Sequence, residues 1–183
     1  MGNLPHTYGN DADCETLEIT VEDKVAQLEI ILSYTAFKEH AVLVRSAKVM
    51  NKSQGSVSIE KIMSLSLDFP TSDYDLVHLN GTWAREAQIT RESILPGIKV
   101  LDSKRGASSH QQNPFFAIVD PYATEQQGEV FGFSLVYSGN FAAQIQMDAY
   151  NQLRLNLGIN PFQFSWKGFF FAHFFTKTKF QRN

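Results

Sequence analysis

Apolar and polar residues alternate with period two along most of this chain. Leu17, Ile19 and Val21 alternate with Thr16, Glu18, Thr20 and Glu22, and Met63, Leu65, Leu67 and Phe69 alternate with Ser64, Ser66 and Asp68. The pattern returns in Phe131, Phe133, Leu135 and Tyr137 and again in Leu153, Leu155, Leu157 and Ile159. Successive side chains of a strand point to opposite faces, so each run predicts a half-buried strand, and about ten such runs fit between Asp13 and Trp166. Turn-formers separate them: Asn51 to Gly55, Pro70 to Asp73, Leu95-Pro96-Gly97, Ser138-Gly139-Asn140 and Asn160-Pro161. No segment sustains an apolar period of 3.6 over three turns. The expected fold is therefore all-β, an antiparallel β-sandwich with little helix. A (β/α)8 barrel is excluded by the missing helices and by a chain shorter than the roughly 250 residues typical of that fold.

Two segments break the alternation. From Lys104 to Phe115 the chain reads Lys-Arg-Gly-Ala-Ser-Ser-His-Gln-Gln-Asn-Pro-Phe, a polar connection with donors and acceptors at every step. Long ordered loops on rigid scaffolds are where binding groups concentrate, so this one is expected to be a site or an interface. The second break is the tail, residues 168–183, rich in Phe and devoid of acids. It reads either as a basic-aromatic surface segment or, the preferred expectation, as a stretch outside the fold.

Composition narrows the function classes. The 183 residues suit one domain. A net charge of −3 with scattered cations supplies no basic stripe, so nucleic acid is not an expected partner. Cys14, the single cysteine, cannot form an internal disulfide, lies in no metal-ligand spacing and reads as a buried or incidental thiol. Met1 to His6 lacks the charged and apolar regions of a signal peptide, and no run of about 18 apolar residues occurs, so a cytoplasmic, membrane-free chain is expected. The histidines at 6, 40, 78, 110 and 173 follow no metal-binding spacing, and no Gly-x-Ser-x-Gly elbow is present, so neither metal nor cofactor is expected. The glycines of Gly128-Glu129-Val130-Phe131-Gly132 lack the following helix that a dinucleotide site requires.

Trp83 sits in Leu79-Asn80-Gly81-Thr82-Trp83-Ala84-Arg85-Glu86, where a strand runs into a glycine turn. An indole there suits the apolar face of a pyranose, with the Arg85 fork satisfying hydroxyls. It equally suits a core tryptophan capping one end of a sandwich.

These residues also carry a resemblance. Glu15 to Thr20, Leu32-Ser33-Tyr34-Thr35, Leu79 to Glu86, Arg105 to Gln111, Asn113-Pro114-Phe115, Gly128-Glu129-Val130, Gly132 to Phe141 and Gly158 to Phe162, in this order, resemble the amino-terminal domain of the α-galactosidases of glycoside hydrolase family 36, the melibiose- and raffinose-cleaving type. The likeness runs roughly from Leu4 to Lys167. It implies a galactose mutarotase-like β-supersandwich, here partial, divided as an irregular leader over 1–14, a sandwich over 15–167 and a divergent tail over 168–183. In that family the catalytic aspartates lie in a (β/α)8 barrel that follows this domain. The resemblance thus implies a non-catalytic fragment, inactive alone, that begins inside its domain and whose tail reads as out of frame.

What the resemblance implies for residues is specific. Trp83 and Arg85 are expected to contact an α-galactoside, with Trp83 reaching the sugar across a subunit boundary. Arg105, Ser108, Ser109, His110, Gln111 and Asn113 are expected to form an interface with a catalytic barrel or with another subunit of a homo-oligomer. Two other readings remain open: a free-standing galactoside-binding module, and a mutarotase-like enzyme invoking His78, His110 and Glu129, which no spacing brings together.

Overall fold

The computed structural model describes residues 13–168 and, as backbone only, a strand over 174–181. Its strands in chain order begin with β1 (Cys14–Asp23), β2 (Leu28–Phe37), β3 (Val42–Asn51), β4 (Val57–Ile59), β5 (Met63–Phe69), β6 (Asp75–Thr82) and β7 (Arg85–Ser93). There follow β8 (Gly97–Asp102), β9 (Gln112–Val119), β10 (Val130–Leu135), β11 (Phe141–Met147), β12 (Leu153–Ile159), β13 (Trp166–Gly168) and β14 (Phe174–Gln181). No helix occurs among the described residues. The alternation that predicted strands over 63–69 and 153–159 matches β5 and β12 end to end.

Two antiparallel sheets make the sandwich. The larger runs β1-β2-β3-β14-β10-β9-β6-β7, the smaller β5-β12-β11-β8, and a short β13-β4 pair stands beside them. The core lies where the smaller sheet covers the β6, β9 and β10 part of the larger. Leu153, Leu155 and Leu157 from β12 and Phe141, Ala143 and Ile145 from β11 meet Leu76, Phe116, Ile118, Phe133 and Leu135. Register partners Phe116 and Phe133 stack with centroids 4.8 Å apart. Gly158 is required where β12 shifts register against β5, since a Cβ there would lie 2.7 Å from the Met63 Cα and 2.8 Å from the Ile62 carbonyl oxygen.

Three expectations change. The face predicted as half-buried on β1 is uncovered: Leu17, Ile19 and Val21 are 59, 41 and 49% exposed, because β1 and β2 lie beyond the part of the larger sheet that meets the smaller one. The alternation over 131–137 outruns its strand, which stops at Leu135 and leaves Val136 and Tyr137 exposed. The tail, expected outside the fold, contributes β14 in the middle of the larger sheet. It pairs Phe174↔Ala47 through Lys179↔Val42 with β3 and Leu135↔Thr176 through Val130↔Gln181 with β10. Two facing edges offer unpaired donors and acceptors, and the Thr, Phe and Lys alternation of 175–180 suits a strand that fills them. The rest of the tail and most of the leader lie outside the described residues, and β1 starts at Cys14, the last residue assigned to the leader.

Candidate functional site

The site is built at one end of the sandwich, where the β6–β7 hairpin, the 103–112 loop and the turns at 138–140 and 160–164 converge. β6 and β7 pair from Asp75↔Ser93 to Thr82↔Arg85, so Trp83 and Ala84 form the hairpin tip. Trp83 is 88% exposed, which removes the core-cap reading and leaves a presented indole. Ala84 has φ 62° and Ala87 φ 53°, the left-handed region in which a Cβ is costly. The Ala84 N–H donates to Glu86 Oε1 at 3.1 Å, so a carboxylate two residues on secures the strained tip. Left-handed non-glycine residues persist only when their surroundings over-determine them.

Those surroundings include the polar loop. Asn80 is the register partner of Gln112. A Cβ on Gly81 would lie 2.9 Å from the His110 carbonyl oxygen and 3.0 Å from Glu86 Cα, and would overlap the Arg85 carbonyl oxygen. Glycine at 81 is what lets the loop press against the base of the Trp83 hairpin. The two features that stood out in the sequence thus form one structure.

The loop is held almost entirely by the sandwich itself. Arg105 Nη1 donates to Ser109 Oγ at 3.3 Å and Gln112 Oε1 at 3.2 Å. Ser108 donates through its backbone N–H (2.9 Å) and hydroxyl (3.3 Å) to the Ser138 carbonyl. Ser109 Oγ accepts from the Gln111 N–H, and its backbone bridges Gln112. Buried Ser103 donates its hydroxyl to the Ala107 carbonyl at 2.7 Å. His110 and Gln111 face solvent, Asn113 is half-buried in β9, and exposed Arg85 makes no side-chain hydrogen bond or ion pair among the described residues. The Arg105 bonds lie inside the domain, and the group that secures Trp83's turn is Glu86, not Arg85.

Two asparagines that the sequence offered only as turn-formers organise this end. Asn140 Oδ1 accepts from the Gly106 N–H at 2.7 Å. Asn160, 4% exposed, donates from Nδ2 toward Asp102 Oδ2 (3.2 Å), the Ser103 carbonyl (3.1 Å) and the Phe141 carbonyl (3.3 Å). Its Oδ1 accepts from the Phe162 N–H at 3.0 Å. The Asn-Pro-Phe triplet signals the turn but not the bonds to residues far away in sequence.

On the neighbouring strands His78 Nε2 lies 3.1 Å from Glu92 Oε1, and Lys99 Nζ, from the smaller sheet, lies 2.9 Å from the same oxygen. The Glu92 carboxyl is held below its ordinary range, first by the Lys99 hydrogen bond, with His78 adding to it. His78 therefore partners Glu92 rather than Glu129. No group of three or more His, Cys, Asp or Glu side chains placed to hold a metal occurs among the described residues. What the site can do is stack an exposed indole, set by a strained hairpin, on an apolar ring face, with exposed Arg85 two residues along the hairpin.

Comparison with known proteins places this geometry. Residues 1–167 match the glycosyl hydrolase family 36 N-terminal domain. The chain is 48% identical over 167 residues to the alpha-galactosidase AgaA of Geobacillus stearothermophilus, a match covering 91% of this chain and 23% of that protein. The crystal structure of AgaA superimposes with a TM-score of 0.95 at 44% identity, covering 100% of this chain and 26% of that one. Structures of AgaA variants with raffinose and with stachyose each give a TM-score of 0.92 at 44% identity, covering 96% of this chain and 25% of theirs. The chain spans about a quarter of the length of these relatives.

Proposed function

This chain belongs to the glycosyl hydrolase family 36 N-terminal domain family, and from that premise we propose that it serves as a non-catalytic β-sandwich of an α-galactosidase. In this reading Trp83 and Arg85 are presented to an α-galactoside of the melibiose or raffinose type, held by a catalytic barrel outside these residues. The exposed face of the 105–113 loop, with His110 and Gln111, rests against that barrel or against another subunit. The observation that carries the reading is the 88% exposed indole at a strained hairpin tip whose base packs against the loop. The complexes of the AgaA variants with raffinose and stachyose supply the substrate class.

A chimera tests it: residues 13–167 replace the matching segment of the Geobacillus stearothermophilus relative. Trp83→Ala is expected to raise the chimera's KM for p-nitrophenyl-α-galactoside about tenfold, the loss of one aromatic contact of ~1.4 kcal/mol, with an unchanged circular dichroism spectrum. The isolated chain should not hydrolyse that substrate, and any calorimetric heat it gives with galactose or melibiose should be the same in Trp83→Ala. An unchanged KM would overturn the reading. Trp83-dependent heat from the isolated chain would replace it with a free-standing galactoside-binding module.

A further inference from the structure

The far end of the smaller sheet carries a second polar surface. On its outward face Asp68 of β5, Arg154 of β12 and Gln146 of β11 stand side by side in register. With Asp148, Gln152 and Leu153 they line a cleft of about 150 Å³. β11 runs seven residues from the Phe141 end to this one, so at ~3.3 Å per residue the cleft lies roughly 20 Å along the sheet from the Asn160 turn.

Its walls are held in place. Arg154 donates from Nε and Nη2 to the two carboxylate oxygens of Asp68 at 2.7 and 2.9 Å. The β11–β12 turn is closed by Asp148, whose Oδ1 accepts from the Tyr150 N–H (2.8 Å) and the Gln152 N–H (2.9 Å). Asn151 in that turn has φ 58°, a conformation asparagine tolerates. Tyr150, at the tip of the turn between two cleft-lining residues, is 84% exposed. Among the described residues, Nη1 of Arg154, Oδ2 of Asp148 and both side-chain amides of Gln146 and Gln152 are left without a hydrogen-bond partner.

The chemistry selects one ligand class. Two carboxylates against one guanidinium leave a net negative charge, which disfavours an anion. Asp68 is committed to a bidentate Arg fork, and the one free carboxylate oxygen, Oδ2 of Asp148, is too few ligands for a cation. What remains is a mixed array of donors and acceptors around a small recess, with the exposed phenol of Tyr150 on the turn that carries two of its lining residues, the pattern that recognises hydroxyls on an apolar ring. We infer that this cleft is a binding site for a neutral saccharide, distinct from the Trp83 end and independent of the function proposed above. At a size below the roughly 300–1,000 Å³ of drug-sized sites, it takes a single pyranose ring.

Chemical-shift titration of the ¹⁵N-labelled chain tests this, with methyl α-galactopyranoside and raffinose as probes and inorganic phosphate and calcium chloride as controls. Saccharide should shift the backbone amides of 146–154 and the side-chain amides of Gln146 and Gln152. In Tyr150→Ala and Gln146→Ala, both surface changes, affinity should fall about tenfold, the equivalent of ~1.4 kcal/mol. Trp83→Ala should leave the titration unchanged. No shift in this region at 100-fold or greater saccharide excess, or shifts reproduced by phosphate or calcium, would overturn the inference. So would saccharide shifts that vanish in Trp83→Ala and persist in Tyr150→Ala.

Discussion

Replacing Asn160 by alanine removes the amide that joins the end of β8, the start of β11 and the turn after β12. The side chain is 4% exposed, and Nδ2 serves three acceptors at 3.1 to 3.3 Å. Not all of them suffer equally. The Phe141 carbonyl keeps the Ser103 N–H at 3.0 Å, and Asp102 keeps Lys104 Nζ at 3.0 Å, whereas the buried Ser103 carbonyl loses this donor. Two neutral hydrogen bonds at about 1 kcal/mol each, with about 1 kcal/mol for the carbonyl left desolvated, give a loss of about 3 kcal/mol. At a urea m-value of about 2 kcal/mol/M, that lowers the unfolding midpoint by about 1.5 M, read by far-ultraviolet circular dichroism. Asn160→Asp separates donation from shape. It keeps the volume but turns two donors into acceptors facing the Asp102 carboxylate and two carbonyls, so at pH 7 it should cost more than alanine. The introduced acid has a folded pKa raised by burial and by Asp102. Its penalty is therefore full at neutral pH and shrinks as pH falls through that raised value toward the unfolded carboxylate value of about 3.9. An Asn160→Asp protein as stable at pH 7 as Asn160→Ala would refute the assignment of Nδ2 as the donor that ties this end together.

Other outcomes follow from the same geometry. Gly81→Ala drives a methyl into backbone oxygens of Arg85 and His110 and should destabilise by roughly 2–3 kcal/mol while raising amide exchange in both the hairpin and the 105–112 loop; exchange confined to the hairpin would contradict their contact. Arg91 donates to Asp75 and to the carbonyls of Asp120, Pro121 and Ala123 at 2.7 to 3.0 Å, so Arg91→Met should cost about 2 kcal/mol after allowance for solvent and release amide protection across 120–128. Glu92, its folded pKa depressed by Lys99 and then His78, contributes stability that is present above the unfolded carboxyl value and lost as pH falls through the folded one. The gap in urea midpoint between the native chain and Glu92→Gln should accordingly close on acidification below about pH 4.5 and would count against the clasp if it widened.

How much of this was legible beforehand depends on what a local pattern reports. Alternation states which residues share a face, and it gave β5 and β12 correctly because both faces of those strands have definite environments. It does not state whether another layer covers the apolar face. Leu17, Ile19 and Val21 alternate as cleanly as Leu153, Leu155 and Leu157, yet the first set is exposed and the second fully buried. The 174–181 strand was missed because its phenylalanines and lysines read as composition, while its place is set by the facing edges of β3 and β10. Trp83 was legible as a candidate, but its exposure was not, since the same Gly-turn sequence serves a core cap.

The bracing residues were invisible as such for a related reason. Asn140, Asn160 and Gly81 each announce a local turn, whereas their roles are fixed by partners tens of residues away. Taken together they do not enlarge the core. They fix the loop on which the Trp83 hairpin rests, while Ala84 and Ala87 sit in a costly backbone region and the indole stays in solvent, each of which folding alone disfavours. The base of the Trp83 hairpin packs against a loop tied through Asn140 and Asn160 to the β8 and β11 ends, which orients its indole in advance. The ordering cost of presenting that ring is thereby met before any ligand arrives. If Trp83 contacts substrate as proposed, Gly81→Ala should raise the chimera's KM for p-nitrophenyl-α-galactoside although Trp83 itself is untouched.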